Sequence, residues 1–102
     1  MTKLEEEFEK ISRKMILHLE NRGYSIGSFK EMPQFAEEAF YEDDNQHQYT
    51  FIFEGKSRKI YLDESTPDSK CRSHLTFEEI RGLNVREIIK KLLDKNESKR
   101  NE

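Results

Sequence analysis

Cysteine and proline are scarce in this chain of 102 residues, and tryptophan is absent. The single cysteine, Cys71, cannot form a disulfide within the chain, which excludes a small fold held together by disulfide bonds. A lone thiol is also typical of a reducing compartment, so we expect a cytoplasmic location. No apolar run is long enough to span a bilayer, and we therefore expect no membrane partner.

The charge of the chain has no strong excess of either sign. The 18 basic and 21 acidic residues leave a formal net charge of −3, which does not indicate nucleic acid as the main partner. Charged residues make up 38% of the chain and hydrophobic residues 33%, a balance that leans toward disorder. Against disorder, the apolar residues fall in periodic segments and include seven Phe and four Tyr, whose large buried areas favour a small folded core.

Helical periodicity is clearest near the two ends of the chain. Apolar residues recur every three or four positions in residues 3–21 and again in residues 85–95, which predicts a helix in each segment. A capping box precedes both helices and a short helical turn between them: Thr2 with Glu5, Thr76 with Glu79, and Asn84 with Glu87.

Strand-forming residues predict a short strand at 24–29 and a β-hairpin farther along. The first strand of the hairpin, 49–54, carries aromatic residues at alternate positions, and the return strand is 58–63, after a turn that contains Gly55. Residues 64–73 contain several Ser, Thr, Pro and Asp residues, which predicts a loop.

Residues 31–45 fit two interpretations. Phe35, Ala36, Ala39 and Phe40 have helical spacing, and Pro33 suits the first turn of a helix. The same stretch could form a strand through residues 39–41. We favour a short helix here.

The predicted elements fit one α+β domain at residues 1–95, followed by a polar tail at 96–102 that we expect to be frayed. We expect a small antiparallel sheet built on the hairpin, with the N-terminal and C-terminal helices packed on one face. The predicted core contains nine apolar residues: Phe8, Ile11, Met15, Phe51, Phe53, Ile60, Leu62, Ile88 and Leu92.

Cys71 and His74 have a spacing that occurs in some zinc sites and could also be written as a nucleophilic pair. A structural zinc site needs four ligands, usually in two close pairs, and the other two histidines, His18 and His47, are isolated in sequence. Catalytic pairs are assembled across a fold rather than from neighbours in a loop. We therefore expect neither a metal site nor a catalytic pair here.

Glu54 and Lys56, together with Asp43 and Asp44, loosely match the arrangement of carboxylates and lysine in metal-dependent nucleases. That chemistry needs the glutamate and the lysine on one face of a continuous strand, and Gly55 places Lys56 in a turn instead. No glycine-rich phosphate loop occurs either. We expect no enzyme activity and no cofactor.

Acidic residues are concentrated in residues 31–45, which contain six acids and no Lys or Arg. Such an imbalance favours a protein contact guided by charge, and exposed tyrosine is frequent at interfaces. We therefore predict a non-catalytic protein-binding module, such as an inhibitor, an adaptor or an immunity-type partner, and leave its oligomeric state open. The candidate binding residues are Glu37, Glu38, Tyr41, Glu42, Asp43 and Asp44.

The alternative is an accessory protein that binds nucleic acid through the C-terminal helix. Residues 86–100 include several cations, among them Arg86, Lys90 and Lys91. Phosphate contacts of lysine and arginine supply most of the affinity of such proteins, whereas the acidic segment would repel phosphate.

Overall fold

The computed structural model describes residues 2–28 and 36–101, and it confirms the predicted α+β class. Within these residues no helix is both long and apolar enough to cross a membrane. The elements, in chain order, are α1 (Lys3–Glu20), β1 (Ser25–Ser28), β2 (Ala36–Glu42), β3 (Gln48–Glu54), β4 (Lys59–Ser65), β5 (Lys70–Thr76), α2 (Phe77–Ile80) and α3 (Val85–Arg100).

The sheet is antiparallel, and each strand pairs with its neighbours in sequence, in the order β1-β2-β3-β4-β5. The predicted hairpin is its centre, with Phe51 paired to Leu62 and Phe53 paired to Ile60. These four side chains are at most 1% exposed. Because side chains alternate along a strand, one face of the sheet therefore carries the core.

The helices pack on this buried face. Helix α1 contacts β1 and β2, and α3 contacts β4 and β5. All nine predicted core residues belong to this core or pack against it: Ile11 is partly buried and the others are buried. Burying one large apolar side chain stabilises the fold by roughly 1.5–3 kcal/mol, so this layer holds the domain together.

The capping residues begin the helices as predicted. The Thr2 hydroxyl accepts a hydrogen bond from the backbone N–H of Glu5 at the start of α1. Full capping boxes, Thr76 with Glu79 and Asn84 with Glu87, begin α2 and α3. Each satisfies backbone N–H groups that have no partner within the helix.

The favoured helix in residues 31–45 is wrong, because Ala36–Glu42 is strand β2. Its seven residues all pair with β3, and four of them also pair with β1. Helical spacing and strand alternation overlap in so short a segment, and pairing on both sides outweighs local preference. Pro33 and Phe35 lie outside the described residues.

The predicted loop at 64–73 is also wrong in its second half. Strand β5 begins at Lys70, and β4 continues to Ser65. The inward positions of β5 are Cys71, Ser73 and Leu75. Two of these three residues are small, so the segment lacks the apolar alternation by which a strand is recognised.

Helix α3 continues to Arg100, whereas the sequence predicted an end near residue 95 and a frayed tail. Asn96 lies within this added length and is 0% exposed. Its amide donates to the carbonyl oxygen of Leu62 at 3.1 Å and to Glu64 Oε2 at 2.8 Å. A buried polar contact therefore holds the last turns on the sheet.

The free edge of β5 is covered by two lysines of α3. Lys95 Nζ donates to the carbonyl oxygen of His74 at 3.0 Å, and Lys99 Nζ donates to that of Arg72. An edge strand otherwise presents unpaired carbonyls to other chains. The opposite edge, β1, has only four residues.

Candidate functional site

Strand alternation divides the predicted acidic site between the two faces of the sheet. Glu37 is paired with the buried Phe53 and therefore lies on the core side, where it contacts Arg13 Nη1 at 3.4 Å. Glu38 and Glu42, which are paired with Ile52 and Gln48, point to the opposite face. Consecutive acids in the sequence thus do not form one surface.

Asp43 and Asp44 lie in the turn after β2. Asp43 Oδ1 accepts hydrogen bonds from the backbone N–H groups of Asn45 at 2.8 Å and His47 at 3.0 Å. Such an Asx turn shapes the connection between β2 and β3, so Asp43 has a structural task. Asp44 is exposed.

Tyr41 belongs to an aromatic cluster at one end of the core side. Its ring centroid is 5.2 Å from that of Tyr24 and 6.4 Å from that of Tyr49. Burial raises the pKa of Tyr24 to about 12, which keeps that hydroxyl neutral. Tyr41 itself is 36% exposed and closes the outer side of the cluster.

The face of the sheet opposite the helices carries most of its charged, polar and partly exposed aromatic side chains. We call it the open face, and define it by the outward side chains of β2 to β5. These are Ala36, Glu38, Phe40, Glu42, Gln48, Thr50, Ile52, Glu54, Lys59, Tyr61, Asp63, Ser65, Lys70, Arg72, His74 and Thr76.

The middle of the open face is apolar. Ile52 and Tyr61 are cross-strand partners on β3 and β4, and both are partly exposed. Phe40, on β2, is 38% exposed. Outward positions of a sheet that faces water are usually polar, so these three side chains are spare apolar surface.

On the β5 side the open face carries basic residues, and Arg72 makes contacts with its neighbours on β4. Arg72 donates to both carboxylate oxygens of its cross-strand partner Asp63, at 2.5 and 2.8 Å. The guanidinium carbon lies 5.2 Å from the centroid of the Tyr61 ring, and the His74 ring lies 5.5 Å from it. The hydrogen bond with Asp63 raises the pKa of Arg72, so this side chain stays charged.

The two sides of the open face therefore carry opposite charges. Strand β2 presents Glu38 and Glu42 and no cation, whereas β5 presents Lys70 and Arg72, together with His74. The apolar strip formed by Phe40, Ile52 and Tyr61 crosses from β2 to β4, and the other outward residues of β3 and β4 are polar or charged. The sequence pattern predicts the acidic side but not the basic one, because residues 64–73 have the composition of a loop.

A polar cluster is buried at the edge of the core, on the other face. Glu64 is 2% exposed, and Arg100 Nη1 and the Asn96 amide donate to it. His47 Nε2 lies 2.9 Å from Glu64 Oε1, and a carboxylate only accepts, so Nε2 carries the proton. Cys71 Sγ donates to Asn96 Oδ1 at 3.3 Å. Every described group here has a partner, which is typical of a structural cluster.

Cys71 and His74 do not form a site. They lie three residues apart on β5, so their side chains point to opposite faces of the sheet. Glu54 and Lys56 are separated from Asp43 by the length of β3, and Glu54 accepts a hydrogen bond from Ser57 at 2.7 Å. Within residues 2–28 and 36–101, no group of three His, Cys, Asp or Glu residues is placed to hold a metal ion.

A groove of about 400 Å³ lies between the end of α1, helix α3 and the sheet. Apolar side chains form its walls, and Arg22 and Arg86 stand at its rim with His18. Partial burial lowers the pKa of His18, and the two arginines lower it further. At this groove Arg86, one of the α3 cations predicted for nucleic acid, lies near Arg22, which follows α1.

No match to this chain was found among models of protein families, among curated proteins or among solved structures. The function is therefore inferred from the side chains themselves.

Proposed function

We propose that this chain is a non-catalytic protein-binding module that acts by contact through its open face, as an inhibitor, an adaptor or an immunity-type partner does. The observation that carries the proposal is the charge order on that face. The apolar strip of Phe40, Ile52 and Tyr61 crosses β2, β3 and β4, with acids beside it on β2 and bases on β5.

This arrangement resembles the anatomy of protein interfaces. Their centres are apolar and enriched in aromatic residues and arginine, and their rims are polar. Phe40, Ile52 and Tyr61 supply such a centre, and Arg72 is held rigidly by Asp63 at its border. Rim charges mainly guide association and fix orientation, a task suited to Glu38 and Glu42.

The nucleic-acid alternative has less support from α3. Lys95 and Lys99 are bonded to the edge of β5, Lys90 is paired with Asp94 at 3.3 Å, and Arg100 is bonded to Glu64. These cations already have partners within the chain. A phosphate backbone would have to displace them.

Location is part of the same proposal. The lone thiol of Cys71 contacts Asn96 and forms no disulfide, which suits a reducing compartment such as the cytoplasm. The partner would then be a protein of that compartment.

The test is capture from the native host with two charge-reversed baits. One bait carries Glu38→Lys and Glu42→Lys on the open face. Its matched control carries Glu20→Lys and Glu97→Lys, which change the same charge at exposed helical positions. We expect a partner that binds wild type and the control and is lost with the open-face bait. A partner retained equally by both baits would contradict the proposal.

A further inference from the structure

Cross-strand pairing arranges the open face in four rows. In three of them an acid on the β2 side of the sheet is matched by a lysine or a histidine on the β5 side, whereas in the row of Phe40 the acid, Asp63, lies on β4 beside Arg72. The register places these side chains at equal heights on the sheet. The rows run Glu42, Gln48, Ser65, Lys70; Phe40, Thr50, Asp63, Arg72; Glu38, Ile52, Tyr61, His74; and Ala36, Glu54, Lys59, Thr76.

This order is complementary to itself. A two-fold axis parallel to the strands, between β3 and β4, exchanges β3 with β4 and β2 with β5 and leaves heights unchanged. In a second copy placed by this axis, each row lies over the equivalent row of the first copy, with the β2 end of one row over the β5 end of the other. Glu42 then faces Lys70, Glu38 faces His74 and Glu54 faces Lys59, each twice, because a two-fold contact is reciprocal.

The apolar strip also meets itself under this axis. Ile52 of each copy lies over Tyr61 of the other, which places four apolar side chains at the centre of the contact. Phe40 lies over Arg72, a pairing that a guanidinium and an aromatic ring favour. Aligned sheets pack at roughly 30° to each other, so the side chains nearest the axis, on β3 and β4, keep the closest register.

The other in-plane axis, perpendicular to the strands, would lay each strand on its own copy. The acids of β2 would then face the acids of β2, and the bases of β5 would face those of β5. Like charges in juxtaposition disfavour such a contact. The charge order therefore selects one of the two face-to-face arrangements.

We propose that the partner of the open face is a second copy of this chain, bound by the two-fold axis between β3 and β4. The inference rests on the proposed function, because it names the partner of that same surface. The contact is symmetric, with an apolar centre and a rim of opposite charges.

The test is a charge exchange between the two sides of the open face. The first variant carries Glu38→Lys and Glu42→Lys, which makes its face basic. The second carries Lys70→Glu and His74→Glu, which makes its face acidic and leaves the Arg72–Asp63 pair intact. Thermal unfolding confirms that both fold, and the helical variant Glu20→Lys with Glu97→Lys serves as the control.

Sedimentation equilibrium at low ionic strength gives the masses. We expect wild type and the control to form dimers, and each open-face variant to self-associate at least ~10-fold more weakly, since close charge pairs couple strongly. An equimolar mixture of the two variants should recover the dimer mass, because an acidic face then meets a basic one. Added salt should weaken all of these dimers.

Three results would overturn the inference: a wild-type chain that stays monomeric at millimolar concentration, variants that dimerise like wild type, or a mixture of folded variants that does not associate. None of these contradicts the proposed function, which fails only if the open-face bait captures the same proteins as its control. The two proposals can therefore fail separately.

Discussion

The two faces of the sheet are built from alternating residues of the same strands, yet they follow opposite rules. On the core side, apolar side chains fill the space under the helices, and the buried carboxylate of Glu64 accepts hydrogen bonds from Asn96 and Arg100. On the open face, charges are sorted by strand, and apolar side chains remain partly exposed. The core side is organised for stability, and the open face is organised for contact.

Phe51 and Ile52 provide the sharpest test of this difference, because they are neighbours on β3 that point to opposite faces. Phe51 is 1% exposed, so Phe51→Ala should cost ~3–5 kcal/mol of unfolding free energy. Ile52→Ala should cost less than half as much, since its side chain is only partly buried. Chemical denaturation measures both. Equal losses would mean that the open face is part of the core.

Asn96 tests whether the buried polar cluster stabilises the core side. Asn96→Ala removes the donor to Leu62 and Glu64 and the acceptor for Cys71. Leaving buried polar groups without partners should cost ~1–3 kcal/mol. The control is Glu97→Ala, at the next residue, which is exposed. If the two variants unfold at the same denaturant concentration, the cluster contributes nothing.

The open face should be nearly neutral in the stability of the single chain. Glu38→Lys combined with Glu42→Lys should change the unfolding free energy of the monomer by no more than ~1 kcal/mol, because Glu42 is exposed, Glu38 is partly buried and the bond that is lost, from Gln48 to Glu42, is an exposed one. The measurement is denaturation of dilute protein at high salt, where association is weakest. A loss of several kcal/mol would show that these acids hold the sheet together.

The smallest effect concerns the groove on the core side. His18 has a lowered pKa because of burial and because Arg22 and Arg86 are near; Lys90 and Asp94 also line the groove. Arg22→Gln should therefore raise the pKa of His18 toward 6.5, as measured by NMR titration of its ring protons. Lys10→Gln, on the same helix, should change it less.

The lowered pKa of His18 also determines how the stability of the fold changes with pH. Because the folded chain binds the His18 proton less tightly than the unfolded chain, stability is complete above pH 6.5. Part of it is lost as the pH falls through the lower pKa of the folded state. The Arg22→Gln variant should lose less over this interval. A loss equal to that of wild type would exclude Arg22 as a cause.

The sequence predicted the core side better than the open face, and the reason is periodicity. Large apolar residues such as Phe51, Phe53, Ile88 and Leu92 recur at the spacing of their elements, so the helices and the hairpin could be recognised. Strand β5 could not, because Cys71 and Ser73 face inward and are small, and Ser73 is satisfied by the carbonyl oxygen of Leu92 at 3.1 Å. Tertiary contacts define that strand.

The candidate site could be predicted only in part, because it lies on strands that local periodicity does not reveal. The acids can be counted along the chain, but which of them share a face depends on the register of β2. The spacing of the apolar residues in this segment favours a helix and so gives no register. Glu38 and Glu42 share the open face, whereas Glu37 does not. The basic side is formed by residues of β5, and no local sequence pattern predicts that Lys70, Arg72 and His74 share the open face with those acids.

The lysines that cover the β5 edge also hinder the addition of a strand from another chain to the sheet. A strand whose carbonyls are open accepts another strand, and repeated addition leads to filaments. Lys95 and Lys99 occupy those carbonyls from the last turns of α3. Proteolytic trimming of that helix, or acetylation of both amines, would release them and leave a ready template. We expect loss of these C-terminal turns to open the β5 edge to pairing with another strand.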